Sequence, residues 1–220
     1  EAGTDSTVVE LSGIHFALTI CEDAWELEPC HAAADAGAEI LLVINGSPYH
    51  MHKQSMREAM LGDRAKEIGL PFVYVNMVGG QDELVFDGGS VAIDAEGKTL
   101  MRAPAFEEGI YLVEVERKSN NICLREQELA PALSTEEAVY KALVLGTRDY
   151  VNKNGFKSVV LGLSGGIDSA LTLCVAVDAL GADRVRTVMM PSRYTSKMSL
   201  EDSAAQAEKM GVQHDVFSIE

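Results

Sequence analysis

With 220 residues, 47% of them apolar, the chain is long enough for one large domain or two small ones and can bury a real core. Eighteen Lys and Arg against 34 Asp and Glu leave a net charge of −16, which repels phosphate backbones and anionic lipid, so neither nucleic acid nor a membrane is expected as a main partner. The same field opposes ATP, so a nucleotide site here has to rest on local donors and a divalent cation.

Cys21, Cys30, Cys123 and Cys174 form no CxxC pair and lie mostly in or beside apolar segments, which reads as reduced thiols in a cytoplasmic protein and not as a disulfide framework. No signal peptide is expected from the opening residues, and no apolar run approaches the roughly 18 residues of a membrane span. The first residue is Glu1, not Met, and the last segment, 216–219, reads as a strand, so the sequence is expected to be a piece of a longer protein.

In chain order, residues 14–20 are apolar and β-rich and stop abruptly at Cys21-Glu22-Asp23-Ala24-Trp25, a polar turn that carries a candidate nucleophile just past a strand end. A short helix is expected over 31–36, ended by Gly37, then a buried strand over 40–44 and a turn at Asn45-Gly46-Ser47-Pro48. Residues 53–68 form a helix by propensity, closed by Gly69 and Pro71, and 72–76 a strand that Gly79-Gly80 is expected to break. Further strands are expected at 90–93 and 110–115. Residues 117–131 lose apolar periodicity and read as an interdomain linker, with the boundary at Leu129 and domains of 1–128 and 129–220.

Ser134-Thr135-Glu136-Glu137 then supplies a capping box, and Val139, Leu143, Gly146 and Tyr150 fall on one helical face. Beyond Gly155 the pattern becomes strand 158–163, helix 167–180, strand 184–190, helix 199–210 boxed by Asp202, and strand 214–219. That order is βαβαβ, which implies a parallel, doubly wound sheet.

Gly162-Leu163-Ser164-Gly165-Gly166-Ile167-Asp168-Ser169 lies between strand and helix, where a tight turn leaves backbone N–H groups free and the helix dipole favours an anion. Gly165 and Gly166 remove Cβ atoms from the path of a ligand, and Ser164 and Ser169 add hydroxyls, all of which suits a polyphosphate. The loop lacks the lysine of a GxxxxGK[ST] motif, which argues against ordinary terminal phosphoryl transfer. Asp168 would repel phosphates unless Mg²⁺ lay between, so it is the candidate metal ligand. A helix start with no ligand is the rival explanation.

Ser164-Gly165-Gly166-Ile167-Asp168-Ser169 resembles the signature of the N-type ATP pyrophosphatases, which adenylate a carboxyl or carbonyl oxygen, release pyrophosphate and admit a nitrogen or sulfur nucleophile. The flanks YKALVLGTRDY, from Tyr140 to Tyr150, and Met190-Pro191-Ser192-Arg193-Tyr194-Thr195-Ser196 are similar to those of NAD synthetases. Ile20-Cys21-Glu22-Asp23-Ala24-Trp25 resembles the nucleophile segment of the nitrilase superfamily, whose members use a Cys–Glu–Lys set. Only twenty residues precede Cys21, with no lysine and only Glu1 and Glu10 among them, so the Glu and Lys roles have no assignment here. Asn45-Gly46-Ser47-Pro48-Tyr49 with Lys53 and Arg57, and the stretch from Val78 to Gly88, extend the amidase resemblance.

Together these segments resemble the family of glutamine-dependent NAD synthetases. The implied fold is the C-terminal part of a nitrilase-like α-β-β-α sandwich followed by the first half of a doubly wound parallel-sheet domain. The implied chemistry is release of ammonia from glutamine at Cys21, with Ser47 and Lys53 binding glutamine. Gly162, Leu163, Ser164, Gly165, Gly166, Ile167, Asp168 and Ser169 would hold ATP, with Mg²⁺ on Asp168, while nicotinate adenine dinucleotide is adenylated and amidated. The family usually forms homo-oligomers. Two rivals stay open: an ATP-pyrophosphatase amidotransferase with another acceptor, and a non-catalytic ATP-binding fragment. Taken locally, Cys21 also fits a buried structural thiol, and Ser47 and Lys53 a solvated loop.

Overall fold

Runs of β-branched and long apolar residues at Ile14–Ile20, Ile40–Asn45 and Phe72–Asn76 have both faces to cover, and they become the inner strands of a mixed sheet. The computed structural model describes residues 5–119 and 121–219. These divide into two units, 5–79 with 85–138, and 80–84 with 139–219.

In the first unit β1 (Thr7–Leu11), β2 (Ile14–Ile20), β3 (Ile40–Asn45), β4 (Phe72–Asn76), β7 (Val91–Ile93) and β8 (Thr99–Arg102) form one sheet in the order β1-β2-β3-β4-β7-β8. The pairs β2–β3 and β3–β4 are parallel and the others antiparallel. Helices α1 (Leu27–Asp35) and α2 (Lys53–Ile68) supply Cys30, Ala33, Leu61 and Ala65 to a core with Ala17, Val43, Phe72 and Tyr74. A second cluster around Ile40, Ala92, Leu100 and Leu124 includes side chains of β9 (Val115–Lys118) and β10 (Asn121–Leu124). Ile20, Ile44 and Val75 stand in register across three strands, yet are 68, 60 and 52% exposed, which leaves an open apolar row on the sheet.

The second unit holds β11 (Val159–Gly162), β12 (Val185–Met189) and β13 (Gln213–Val216), all parallel and adjacent in that order. Its crossovers are α4 (Ile167–Leu180) and α5 (Lys197–Met210), preceded by α3 (Thr135–Lys153). The core gathers Val151, Leu163, Leu173, Ala176, Val185 and Ala207. This is the βαβαβ order read from the sequence.

Several local expectations need correction. α1 begins at Leu27, four residues ahead of 31, because Pro29 is tolerated in a first turn where its missing N–H has no helical acceptor. Gly79-Gly80 does not end regular structure: both glycines lie in β5 (Val78–Gln81), which pairs with β6 (Leu84–Asp87). Gly80 packs on Gly146, its N–H donates to Asp149 at 2.7 Å, and Lys153 donates to its carbonyl at 2.5 Å, so the absent side chain is what permits the contact. Residues 110–114 are not a strand, and 117–131 carries β10 and backbone bonds from Gln127 to Leu100 and from Ala130 to Arg102. In α3 the buried residues are Ala142, Leu145 and Val151, while Leu143 and Tyr150 are 48 and 50% exposed, so the stripe they share is not the buried face. α5 starts at Lys197 because Ser196, not Ser199, is its cap, accepting from the Ser199 N–H at 3.1 Å. Among the described residues no helix is long and apolar enough to cross a membrane.

Candidate functional site

The three parallel strand ends of the first unit bring the amidase-like residues to one edge. Cys21 follows β2, Asn45 closes β3 with Ser47 two residues beyond, and Asn76 closes β4. The carboxyl edge of parallel strands is where side chains emerge from the sheet with free backbone around them, and it is the usual ligand edge of such sheets. Cys21 has φ of 50° at the head of a 3-10 turn, Cys21–Ala24, and is partly exposed. A non-glycine residue in that left-handed region is costly by about 1–3 kcal/mol and lifts the thiol out of line with β2. Asp23 braces the turn by accepting the Ile20 N–H at 2.8 Å.

Cys30 is set differently. Cys30 is fully buried, its Sγ donates to the Asp23 carbonyl at 3.6 Å, and burial pushes its pKa up to about 11. All four cysteines are free.

Ser47 is 5% exposed and belongs to a buried polar network. Its N–H donates to Asn76 Oδ1 at 2.9 Å, and Asn76 Nδ2 donates to the Ser47 carbonyl at 3.2 Å and the Gly88 carbonyl at 3.1 Å. Arg57, 1% exposed, donates to Ser47 Oγ at 3.3 Å and to the Ser47 carbonyl at 3.0 Å. It also forms a bidentate pair with Asp87, at 2.9 and 2.7 Å. Lys53, at the start of α2, lies with Nζ 4.3 Å from the centre of the Trp25 ring, a cation–π contact that draws it to the turn that begins at Cys21. The sequence reading singled out Ser47 and Lys53. It missed Trp25 as the partner of Lys53 and Asn76 as that of Ser47, and gave no role to Arg57 or to Asp87, which pairs with it.

Tyr74 joins this neighbourhood from β4. It is completely buried and its hydroxyl has no hydrogen-bond partner among the described residues. Burial raises its pKa, with Arg57 and Ser47 pulling it down and Cys21 and Asp87 pushing it up.

In the second unit, the glycine-rich loop follows β11 at the carboxyl edge of its sheet and leads into α4 through Gly166, the residue before the first turn. Leu163 anchors it, 1% exposed, with its N–H on the Val188 carbonyl at 2.9 Å. Ser169 Oγ donates to the Gly166 carbonyl at 2.9 Å, lies 3.0 Å from Ser164 Oγ and accepts the Ser164 N–H at 3.2 Å, which closes the loop on itself. Gly165, at φ of 80°, is needed for a reason the sequence did not give: a Cβ there would collide with the Ser199 backbone. Gly162 and Gly166 border open space instead, Gly166 meeting only Ser164 Oγ at 3.4 Å.

Asp168 is exposed in the first turn of α4. Among the described residues no three His, Cys, Asp or Glu gather as a metal cage. Mg²⁺ beside a nucleotide needs only one or two carboxylates and completes its shell with phosphate oxygens and water, so a lone Asp168 fits that donor set. The 190–196 stretch runs from β12 to the Ser196 cap, with the Ser192 N–H on Thr195 Oγ1 at 2.9 Å.

The architecture of the first unit, with a cysteine on a strained turn at the carboxyl edge of parallel strands, is that of a carbon–nitrogen hydrolase. The carbon-nitrogen hydrolase family model matches residues 1–120, more than half of the chain, and the chain belongs to that family. The NAD synthase family model matches residues 139–220. The glutamine-dependent NAD(+) synthetase of Rhodobacter capsulatus is 44% identical over 220 residues, covering 100% of this chain and 40% of that protein. That of Aquifex aeolicus is 42% identical, covering 99% of this chain and 44% of that protein. The structure of the glutamine-dependent NAD+ synthetase from Acinetobacter baumannii in complex with ADP aligns with a TM-score of 0.95 at 45% identity, over 100% of this chain and 41% of that one. The chain thus spans about 40% of the length of the relatives it matches.

Proposed function

We propose that this chain carries the glutamine-hydrolysing cysteine and the ATP-binding loop of a glutamine-dependent NAD synthetase. The observation that carries the reading is Cys21 itself: a thiol at φ of 50°, partly exposed, at the strand edge where Ser47 and Lys53 also converge. The Cys21 thiolate adds to the amide carbon of glutamine, and the carbon–nitrogen bond breaks as the nitrogen leaves, protonated, as ammonia. Water then cleaves the thioester to glutamate and restores the thiol. Lys53 supplies positive charge for the substrate carboxylate, and Ser47 a hydroxyl for its polar atoms.

The second unit receives ATP at Gly162, Leu163, Ser164, Gly165, Gly166, Ile167, Asp168 and Ser169, where the first-turn N–H groups of α4 point at phosphate oxygens. Mg²⁺ held by Asp168 would neutralise charge on the triphosphate when bound. The nicotinate carboxylate of nicotinate adenine dinucleotide displaces pyrophosphate from the α-phosphorus, and ammonia then displaces AMP to leave the amide. Four free cysteines support a cytoplasmic protein, and the family resemblance supports a homo-oligomer. The open row of Ile20, Ile44 and Val75 supports a second sheet packed there, as an α-β-β-α sandwich requires.

The test is covalent capture. A diazoketone analogue of glutamine, followed by peptide mass spectrometry, is expected to mark Cys21 alone of the four cysteines. Marking of another cysteine with Cys21 unmodified would remove the glutaminase assignment.

A further inference from the structure

Arg57 is the largest fully buried side chain of the chain's described residues, and its guanidinium has five N–H groups to satisfy. All five have acceptors: Ser47 Oγ and the Ser47 carbonyl, both Asp87 oxygens, and Gln54 Oε1 at 3.4 Å. No N–H is left for a ligand, and at 1% exposure none could reach one. The cation therefore acts on its neighbours. A serine hydroxyl has one proton and two lone pairs, and a guanidinium N–H directed at the oxygen takes the acceptor side. The proton is then turned away from Arg57, and among the described residues the Ser47 hydroxyl donates to no acceptor.

We propose that Arg57, locked by Asp87, is a positioning residue for the glutamine site: it fixes Ser47 as a hydrogen-bond donor toward an acceptor oxygen of the substrate amino acid. This rests on the reading that Ser47 binds glutamine. Asn76 supports the same geometry by holding the Ser47 N–H and carbonyl, so Ser47 is constrained through its hydroxyl, its N–H and its carbonyl. Asp87 fixes the guanidinium plane; a lysine at 57 would retain charge but lose the fork that serves Ser47 and Asp87 together.

The test uses the full-length protein carrying this sequence, with glutamine or ammonium as nitrogen source, in Ser47→Ala, Arg57→Lys, Asp87→Asn and the Ser47→Ala/Arg57→Lys double variant. Ser47→Ala, Arg57→Lys and Asp87→Asn are each expected to raise the KM for glutamine about tenfold, the scale of one lost hydrogen bond to a charged group, with kcat changed far less. The double variant is expected to be no worse than Ser47→Ala, because Arg57 acts through Ser47. If Ser47→Ala raises KM while Arg57→Lys and Asp87→Asn do not, or if the double variant is additive, the positioning role is overturned. If Arg57→Lys and Asp87→Asn instead lower the glutamine-driven and ammonium-driven rates equally, the pair is only structural and the proposal fails. If Ser47→Ala itself leaves KM unchanged, it is the assignment of Ser47 to glutamine that fails.

Discussion

Cys21 and Cys30 flank one short turn but are held in opposite states: Cys21 opens it at φ of 50°, partly exposed, whereas Cys30 is fully buried with Sγ on the Asp23 carbonyl at 3.6 Å. The turn separates a thiol that solvent can reach from one that it cannot. With Cys30 pushed up to about 11 by burial, its thiolate at pH 8 is roughly one part in a thousand, before exclusion by packing is counted. Native-state alkylation with iodoacetamide at pH 8 is therefore expected to label Cys21 and leave Cys30 unmodified until the chain is unfolded.

Breaking the Arg57–Asp87 pair from one side leaves a buried charge without its partner. Arg57→Met is expected to destabilise the protein by about 3–5 kcal/mol in urea unfolding, whereas Arg57→Met/Asp87→Leu recovers much of that loss. A loss under about 1 kcal/mol for the single variant would show that water reaches the pair.

Tyr74 has a buried hydroxyl with no partner among the described residues. Tyr74→Phe removes an unsatisfied group at constant shape, so its melting temperature is expected to match or exceed wild type. A loss of about 1 kcal/mol or more would mean that the hydroxyl is bonded.

Glu39 has its pKa lowered to about 2, first by the Arg117 side chain, at 2.8 and 3.0 Å, and then by the His15 N–H. A depressed carboxylate pKa contributes stability that is present above the unfolded value of 4.5 and lost as pH falls through the folded value. The stability of wild type is thus expected to fall between about pH 4.5 and 2 more steeply than that of Arg117→Ala, an effect that salt reduces because the pair is partly exposed. Equal slopes would assign the acid loss elsewhere.

Gly165 and Gly166 are separable. Gly165→Ala forces a Cβ into the Ser199 backbone at φ of 80°, and a destabilisation of at least about 1 kcal/mol is expected. Gly166→Ala meets only Ser164 Oγ, so the variant is expected to fold like wild type yet bind ATP at least about tenfold more weakly, read by calorimetry. Wild-type affinity in Gly166→Ala would mean that phosphate does not approach that residue.

Much of this organisation was readable from local chemistry. The β2, β4 and α4 ranges follow from apolar runs and their glycine and proline stops, and α2 from propensity closed by Gly69. What stayed illegible was set by partners far away in sequence. Asp87 meets Arg57 across thirty residues, Gly80 is a strand residue because it meets Gly146, and Gly165 is fixed by Ser199. The polar stretch around β10 reads as a linker because Arg125 and its neighbours are charged, whereas Ile122 and Leu124 pack into the core. The stripe of Val139, Leu143, Gly146 and Tyr150 in α3 does not mark its buried face, because Leu143 and Tyr150 are apolar but exposed while Ala142, Leu145 and Val151 are buried.

The most direct measurement is NAD formation from nicotinate adenine dinucleotide and Mg-ATP by the full-length protein and its Cys21→Ala variant, with glutamine or ammonium supplied. The variant is expected to lose the glutamine-driven reaction and keep the ammonium-driven one, as two separate sites require. A wild-type protein that makes no NAD from either source would contradict the synthetase assignment, and a Cys21→Ala variant that still uses glutamine would contradict the role of the thiol.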